Sequence, residues 1–359
     1  MPLTIVIAGG GTGGHLYPGV AVARELVRRV PDARVTFVGT ARGLETTVVP
    51  REGFELDVIR SAGLKGKSLW ARARGLALVP VSAFDAWRVL SRRRPVAVLG
   101  VGGYSSGPVV LIASLRGLVT LVLEQNVVPG LTNRLLARWI GSAAVTYDDS
   151  LPYFRGKGIV TGNPVRPEFV GVTPDAGGGA RVLVVGGSQG AQALNRAMVA
   201  AASQLAADRH HLEIVHQTGA RDLAAVRDGY LKAGVSARVE AFLDPLADEM
   251  AAASLVVCRA GATTLAELAA MGRAAVLVPF PAATDDHQRR NARTLNAAGA
   301  AAVIEEADLT GQRLAEQLGS LLDDTDGRSA MAQAMSRQAR PDAAERIVDH
   351  LLAEVGVHG

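Results

Sequence analysis

Short, near-continuous apolar runs rich in Val, Ile and Leu recur along the chain, each followed by a longer stretch in which apolar residues return at helical spacing. The runs cover residues 4–8, 35–39, 97–100, 120–124, 143–146, 181–185, 213–217, 238–241, 255–258 and 275–279. A strand with one solvated face alternates apolar and polar side chains. These runs do not alternate, which predicts strands covered on both faces, in parallel sheets joined by crossover helices. Helices are predicted over 18–29 and 193–205.

One unit of this pattern repeats. Ile5-Val6-Ile7-Ala8 runs into Gly9-Gly10-Gly11-Thr12-Gly13-Gly14-His15 and a helix, and Val182-Leu183-Val184-Val185 runs into Gly186-Gly187-Ser188-Gln189-Gly190 and a helix. Between the two copies lie Gly162-Asn163-Pro164-Val165-Arg166-Pro167 and the triplet Gly177-Gly178-Gly179, which read as an interdomain linker. The expectation is an α/β protein of two Rossmann-like, doubly wound domains facing across a cleft, residues 1–162 and 163–340. At 359 residues the chain also exceeds what one hydrophobic core usually serves.

Composition narrows the class. Apolar residues make up 48% and charged residues 20%, which excludes a disordered or collagen-like chain. The single cysteine, Cys258, excludes a disulfide framework and a multi-thiolate metal site. Met1-Pro2-Leu3-Thr4 leads into the first strand without a basic stretch, so no targeting segment is expected there. The most apolar region, 109–123, is broken by Arg116 and Gly117. It falls short of the roughly 20 residues that a spanning helix needs.

Charge is uneven. Residues 1–160 carry 20 Lys/Arg and 10 Asp/Glu, whereas 161–359 carry 18 and 24, so a net +4 conceals +10 beside −6. The basic half points to an anionic partner. Its densest part, 65–94, holds Lys65, Lys67, Arg72, Arg74, Arg88, Arg92, Arg93 and Arg94 against Asp85, interleaved with Leu69, Trp70, Leu76, Phe84 and Trp87. Cations among interfacial aromatics suit a surface resting on anionic lipid; a core-facing helix with a solvated basic edge is the alternative. No nucleic-acid-binding motif accompanies the charge, so nucleic acid is not expected as a partner.

The glycine loops carry the candidate chemistry. Gly9 to Gly14 satisfy G-x-G-x-x-G in the right strand–helix context, but the second strand ends Phe37-Val38-Gly39-Thr40 without the acid that a dinucleotide fold places there. No Gly-Lys-Ser/Thr follows, so a P-loop is excluded. What remains is backbone able to approach a ligand closely at a helix N-terminus. Gly102-Gly103-Tyr104-Ser105 repeats the arrangement after the strand through Leu99, as do Gly186 to Gly190 in the second half. In Arg259-Ala260-Gly261-Ala262-Thr263-Thr264, the two threonines either cap the following helix or donate to a phosphate. Glu267, one turn on, either accepts from the hydroxyls of a ribose or is a surface or capping carboxylate. Pro279 to Gln288, a strand end followed by a polar run, either bonds a sugar or forms a solvated loop, and Arg166 either neutralises a diphosphate or makes a linker salt bridge. Asp324-Thr325-Asp326, the one D-x-D, reads as a turn; no His/Asp/Glu group has metal-ligand spacing, so neither metal nor cofactor is expected.

In chain order, Gly10-Gly11-Thr12-Gly13-Gly14-His15, Gly102-Gly103-Tyr104, Glu124-Gln125-Asn126, Gly162-Asn163-Pro164-Val165-Arg166, Gly186-Gly187-Ser188-Gln189-Gly190, Cys258 to Thr264 and Asp286-His287-Gln288 resemble the motifs of the MurG family. These are the N-acetylglucosaminyltransferases of bacterial peptidoglycan synthesis, and the resemblance spans essentially the whole chain. It implies a GT-B glycosyltransferase and a C-terminal helix, 341–359, that packs back on the first domain. It implies inverting transfer from UDP-N-acetylglucosamine to the 4-hydroxyl of a muramyl-pentapeptide on undecaprenyl diphosphate. The enzyme would act as a peripheral protein on the cytoplasmic face of the cell membrane.

Carried over by position, Thr12, Gly13, Gly14, Asn126, Arg166, Ser188, Leu243, Ala262, Thr263, Thr264, Leu265, Ala266, Glu267 and Gln288 would contact the donor. The loop Gly102, Gly103, Tyr104 and Ser105 would serve the acceptor and its diphosphate. Leu123 departs from the family, where many members carry His before the Glu-Gln-Asn string. His15, at a glycine loop and of near-neutral ordinary pKa, is the candidate base, with a structural or acceptor-positioning role as its alternative; Glu124 is the rival base.

Overall fold

In a computed structural model, residues 3–61, 78–171, 180–187, 190–207 and 211–357 are described. They form two compact units, residues 1–166 with 340–359 and residues 167–339. In the first, β1 (Thr4–Gly9), β2 (Arg34–Gly39), β3 (Glu55–Val58), β4 (Ala97–Gly102), β5 (Val119–Glu124), β6 (Ser142–Val145) and β7 (Gly158–Val160) make one sheet in the order β3-β2-β1-β4-β5-β6-β7. In the second, β8 (Arg181–Val185), β9 (Glu213–Gln217), β10 (Ala237–Glu240), β11 (Leu255–Cys258), β12 (Ala275–Leu277) and β13 (Ala302–Val303) follow the order β10-β9-β8-β11-β12-β13. Every pairing is parallel.

Both faces of each sheet are dry. Ile5 and Ile7 pack into one core with Leu16, Val20, Phe37, Leu99 and Leu121, while Val6 and Ala8 pack into the opposite core with Val98, Val109, Val122 and Phe154. The second sheet divides likewise between Leu183 and Val185 on one side and Val182 and Val184 on the other. Burying each such side chain is worth about 1.5–3 kcal/mol, so a polar residue in either strand would be costly on whichever face it fell.

Several boundaries differ from the sequence reading. The first helix, α1, starts at Gly13 and runs to Arg29 through Pro18, so His15 lies in its first turn. Pro18 is the sixth residue of the helix, inside it, where it contributes no N–H to the backbone ladder. The strand through Leu99 continues to Gly102. Three short strands, β3, β7 and β13, were absent from the apolar pattern; all lie toward sheet edges and are only partly buried.

The remaining helices of the first unit are α2 (Glu45–Arg51), α3 (Val79–Arg93), α4 (Ser106–Leu115) and α5 (Leu131–Leu136). Those of the second are α6 (Gln192–Ala207), α7 (Leu223–Lys232), α8 (Leu246–Ala252), α9 (Ala262–Met271), α10 (His287–Ala297), α11 (Gly311–Asp323) and α12 (Thr325–Ser336). Asp324 is no free turn residue: it caps α12, its side chain accepting from the Gly327 amide at 2.8 Å. The last helix, α13 (Ala343–Glu354), packs on α1 in the first unit, with Ile347, Val348, Leu351 and Leu352 in that core and Asp349 paired with Arg29. No helix among the described residues is long and apolar enough to cross a membrane.

Candidate active site

All strands of each sheet run the same way, but the order in which the chain lays them down reverses between β1 and β4 in one sheet and between β8 and β11 in the other. At such a switch point the connections leave to opposite faces, opening a crevice at the carboxyl ends of the strands. All four candidate loops stand there. Gly9–Gly14 follows β1 and Gly102–Ser105 follows β4; Gly186–Gly190 follows β8 and Arg259–Gly261 follows β11.

The two loops of the first unit interlock through backbone alone. A Cβ on Gly9 would stand 2.4 Å from the Gly102 carbonyl oxygen, and one on Gly103 would stand 2.8 Å from that of Gly10. Gly9, Gly10, Gly11, Gly102 and Gly103 all have positive φ, from 80° to 144°. Glycine is therefore required here for both space and conformation. The His15 ring lies against Gly102, and Thr12 Oγ1 is 3.2 Å from His15 Nδ1. The Tyr104 ring borders Gly11, and its carbonyl oxygen accepts from Ser61 Oγ at 3.1 Å. Ser105 is buried at the N-cap of α4. The Arg166 guanidinium lies over the Tyr17 ring at 4.8 Å, which ties it to α1 in the first unit.

Glu124 is buried, and both its oxygens are occupied. Oε1 accepts from the backbone and side-chain amides of Asn126 at 3.1 and 3.2 Å; Oε2 accepts from Gly130 N at 3.0 Å and Asn133 Nδ2 at 2.9 Å. Burial pushes its pKa up, while these donors pull it down. The carboxylate thus folds the loop that presents Asn126, and its lone pairs point at protein donors.

In the second unit, Gly186 N donates to the Gln217 carbonyl oxygen at 3.2 Å, and a Cβ on Gly190 would stand 2.2 Å from the Thr218 carbonyl oxygen. Ser188 lies outside the described residues. Gln217, which the sequence reading passed over, joins this loop to another: its side chain donates to the Gly187 carbonyl at 3.3 Å and accepts from Leu243 N at 3.0 Å.

Helix α9 is capped by Gly261, which puts Thr263 and Thr264 inside its first turn; the threonines are not the caps that the sequence allowed. Leu265 is buried, and Ala262 and Ala266 are partly exposed. Glu267 is buried beside Cys258, whose thiol burial pushes up to about 12 and so removes it as a nucleophile. Gln288 Oε1 accepts from Phe280 N at 2.9 Å, and the preceding Asp285 and Asp286 both have φ of 57°. Two consecutive non-glycine residues in that conformation store strain, as functional segments do.

The most informative residue missed by the sequence reading is Glu45. It stands at the start of α2, where its carboxylate accepts from Gly11 N at 2.8 Å and from Thr40 N and Oγ1 at 2.8 and 2.9 Å. The acid sought at the end of β2 is therefore supplied from the next helix, and it binds the protein's own loop. The glycines at 39 and 43 were the available signal.

Of the basic, aromatic segment, Lys65, Lys67, Leu69, Trp70, Arg72, Arg74 and Leu76 lie outside the described residues. Phe84 and Trp87 are 57% and 51% exposed and stack with ring centroids 6.2 Å apart. Helices α3, α4 and α5 follow one another on the same face of the sheet. Their outer surfaces add Leu131, Leu135 and, just beyond α5, Trp139 with Arg138 stacked on it at 4.9 Å.

Two doubly wound sheets, each with glycine loops at its switch point, are the arrangement of a nucleotide-binding α/β protein. Residues 5–145 match the glycosyltransferase family 28 N-terminal domain and residues 181–347 the family 28 C-terminal domain. The chain is 48% identical over 351 residues to the UDP-N-acetylglucosamine--N-acetylmuramyl-(pentapeptide) pyrophosphoryl-undecaprenol N-acetylglucosamine transferase of Anaeromyxobacter dehalogenans, covering 97% of this chain and 92% of that one. It is 43% identical, with the same coverage, to the enzyme of that name from Myxococcus xanthus. The crystal structure of Acinetobacter baumannii MurG superimposes with a TM-score of 0.81 at 30% identity, covering 98% of this chain and all of that one. The chain belongs to the MurG family of N-acetylglucosaminyltransferases.

Proposed function

We propose that this protein transfers N-acetylglucosamine from UDP-N-acetylglucosamine to the 4-hydroxyl of N-acetylmuramyl-pentapeptide carried on undecaprenyl diphosphate, with inversion at the anomeric carbon. The observation that carries the reading is the relatives' match through both units at once, over 97% of the chain. The 4-hydroxyl oxygen forms the new bond to the anomeric carbon, the bond to the UDP oxygen breaks, and the hydroxyl proton is taken by His15. With Nδ1–H donating to Thr12 Oγ1, Nε2 is the proton acceptor.

Departing UDP carries the developing charge. The N-terminus of α9 with Thr263 and Thr264, together with Arg166, supplies donors and positive potential for it. Glu267 takes the ribose hydroxyls, Leu243 the base, and Ser188 and Gln288 the diphosphate and sugar. Thr12, Gly13, Gly14, Asn126, Ala262, Leu265 and Ala266 complete the donor contacts, and Gly102 to Ser105 face the acceptor. The exposed aromatics and arginines of α3 to α5 suit docking on the anionic membrane that holds the acceptor, which would make the protein peripheral at the cytoplasmic face.

Incubation with UDP-N-acetylglucosamine and a short-chain lipid acceptor tests this. UDP and the lipid-linked disaccharide are expected in equal amounts. UDP released without disaccharide would overturn the assignment.

A further inference from the structure

We propose that Glu45 is a positioning residue for the transfer, setting through the Gly11 amide where the first glycine loop holds Thr12 and His15. The role rests on the activity proposed above and on His15 as its base.

Glu45 is fully buried, at 0% exposure. A carboxylate is kept in such a place only where its lone pairs are met by donors, and three are given: Thr40 N and Oγ1 on Oε1, and Gly11 N on Oε2. Space for the side chain comes from three glycines. A Cβ at Gly10 would stand 2.7 Å from Oε2, one at Gly39 2.5 Å from Cγ, and one at Gly43 1.9 Å from Oε2. Three residues without side chains around one carboxylate make a built socket.

The loop needs that socket. Gly9, Gly10 and Gly11 have φ of 144°, 143° and 86°, and three successive glycines impose no conformation of their own. Glu45 ties the last of them to the end of β2. One residue later Thr12 opens α1, its carbonyl oxygen accepting from His15 N at 3.2 Å and its hydroxyl meeting the His15 ring. A shift at Gly11 is therefore passed to His15 within one helical turn. Displacement of a reacting group by about 1 Å costs on the order of 100-fold in rate.

The two oxygens have separate duties, which makes the residue testable. In Glu45→Gln the remaining oxygen can serve the two Thr40 donors, leaving an NH2 against the Gly11 N–H. The Gly11 tether is lost and the Thr40 anchor kept. Thr40→Val removes a donor on the other side and leaves the Gly11 tether in place.

Wild type, Glu45→Gln and Thr40→Val are compared for kcat, for UDP affinity by calorimetry and for folded fraction by circular dichroism. Glu45→Gln is expected to lose about 10–100-fold in kcat with a smaller fall in UDP affinity, since Glu267 and the N-terminus of the helix from Ala262 still hold the nucleotide. Thr40→Val is expected to stay within about threefold of wild-type kcat. A wild-type kcat in Glu45→Gln, or a fall in UDP affinity parallel to the fall in kcat, overturns the proposal. No disaccharide from wild type overturns the proposed activity, and the role of Glu45 in it falls for that separate reason. Should Glu45→Gln not fold, hydrogen exchange at the Gly11 amide of the wild type decides: protection sustains the tether, and exchange at the rate of an unprotected amide overturns it.

Discussion

The imidazole of His15 occupies the space that a side chain on Gly102 would need: a Cβ there would stand 2.5 Å from Cδ2 and 3.0 Å from Nε2 of the ring. His15 stands in the first turn of α1, which follows β1, and Gly102 ends β4; β1 and β4 are the two strands at the switch point of the first sheet. Any side chain at 102 would displace the group proposed to take the proton.

Gly102→Ala is accordingly expected to lower kcat by about 100-fold. It adds about 1–3 kcal/mol of backbone strain at a φ of 99°. UDP affinity should fall far less, since the proposed contacts to the nucleobase and ribose, from Leu243 and Glu267, belong to the second unit. Steady-state kinetics with calorimetry check this, and wild-type turnover in the variant would show that the ring's place does not matter.

His15→Ala removes the proposed base itself. The single-turnover rate should drop by about 10²–10⁴-fold while UDP binding is retained. A variant that completes one turnover at the wild-type rate takes His15 out of the chemistry.

Glu267→Gln tests the ribose assignment. Losing one charge-assisted hydrogen bond should weaken UDP binding by about 10-fold or more, with little change in the rate at saturating donor. Titration calorimetry gives the number directly, and an unchanged dissociation constant would end the assignment.

His216 supplies a pH signature of the second unit. It is buried, with Nδ1 2.8 Å from Tyr230 Oη and Nε2 3.0 Å from Asn195 Oδ1. Burial pushes its pKa down to about 3 from 6.5. Below pH 6.5 the unfolded chain takes up a proton that the folded chain refuses, so this contribution is whole above 6.5 and declines between 6.5 and 3. At pH 5 the loss is about 2 kcal/mol. Denaturant midpoints at pH 7 and pH 5 should show His216→Gln less stable at pH 7 but with a shallower fall. An equal fall in both proteins would refute the account.

Phe84→Ser/Trp87→Ser should fold normally, because both rings are exposed, and should bind anionic vesicles about 10-fold more weakly. Flotation assays with anionic and neutral vesicles at two salt concentrations report it. Undiminished binding would place the contact elsewhere.

Strands buried on both faces were legible because they leave unbroken apolar runs. β1, β8 and β11 appear in the pattern much as they appear in the sheets. β3, with the pattern Glu55-Leu56-Asp57-Val58, was not legible. Its Asp57 is buried yet charged: burial works to raise its pKa, but hydrogen bonds from Arg93 and Arg92 hold it below the usual carboxylate range. No local pattern reveals an acid whose partners are supplied by a helix some 35 residues on.

By itself the sequence determined the α/β class, the repeated strand–loop–helix unit and the glycines that a ligand or another backbone must approach. All of these follow from short-range rules: the period of apolar residues and the φ angles open to glycine. Only the tertiary structure decided what each polar group serves. Glu124 holds its own loop, Glu45 reaches Gly11 from another helix, and Gln217 ties Gly187 to Leu243. A buried carboxylate or amide takes its role from whichever donors surround it, and those donors come from distant parts of the chain. The exposed Phe84 and Trp87 likewise joined Leu131, Leu135 and Trp139 only when α3, α4 and α5 were laid on one face of their sheet.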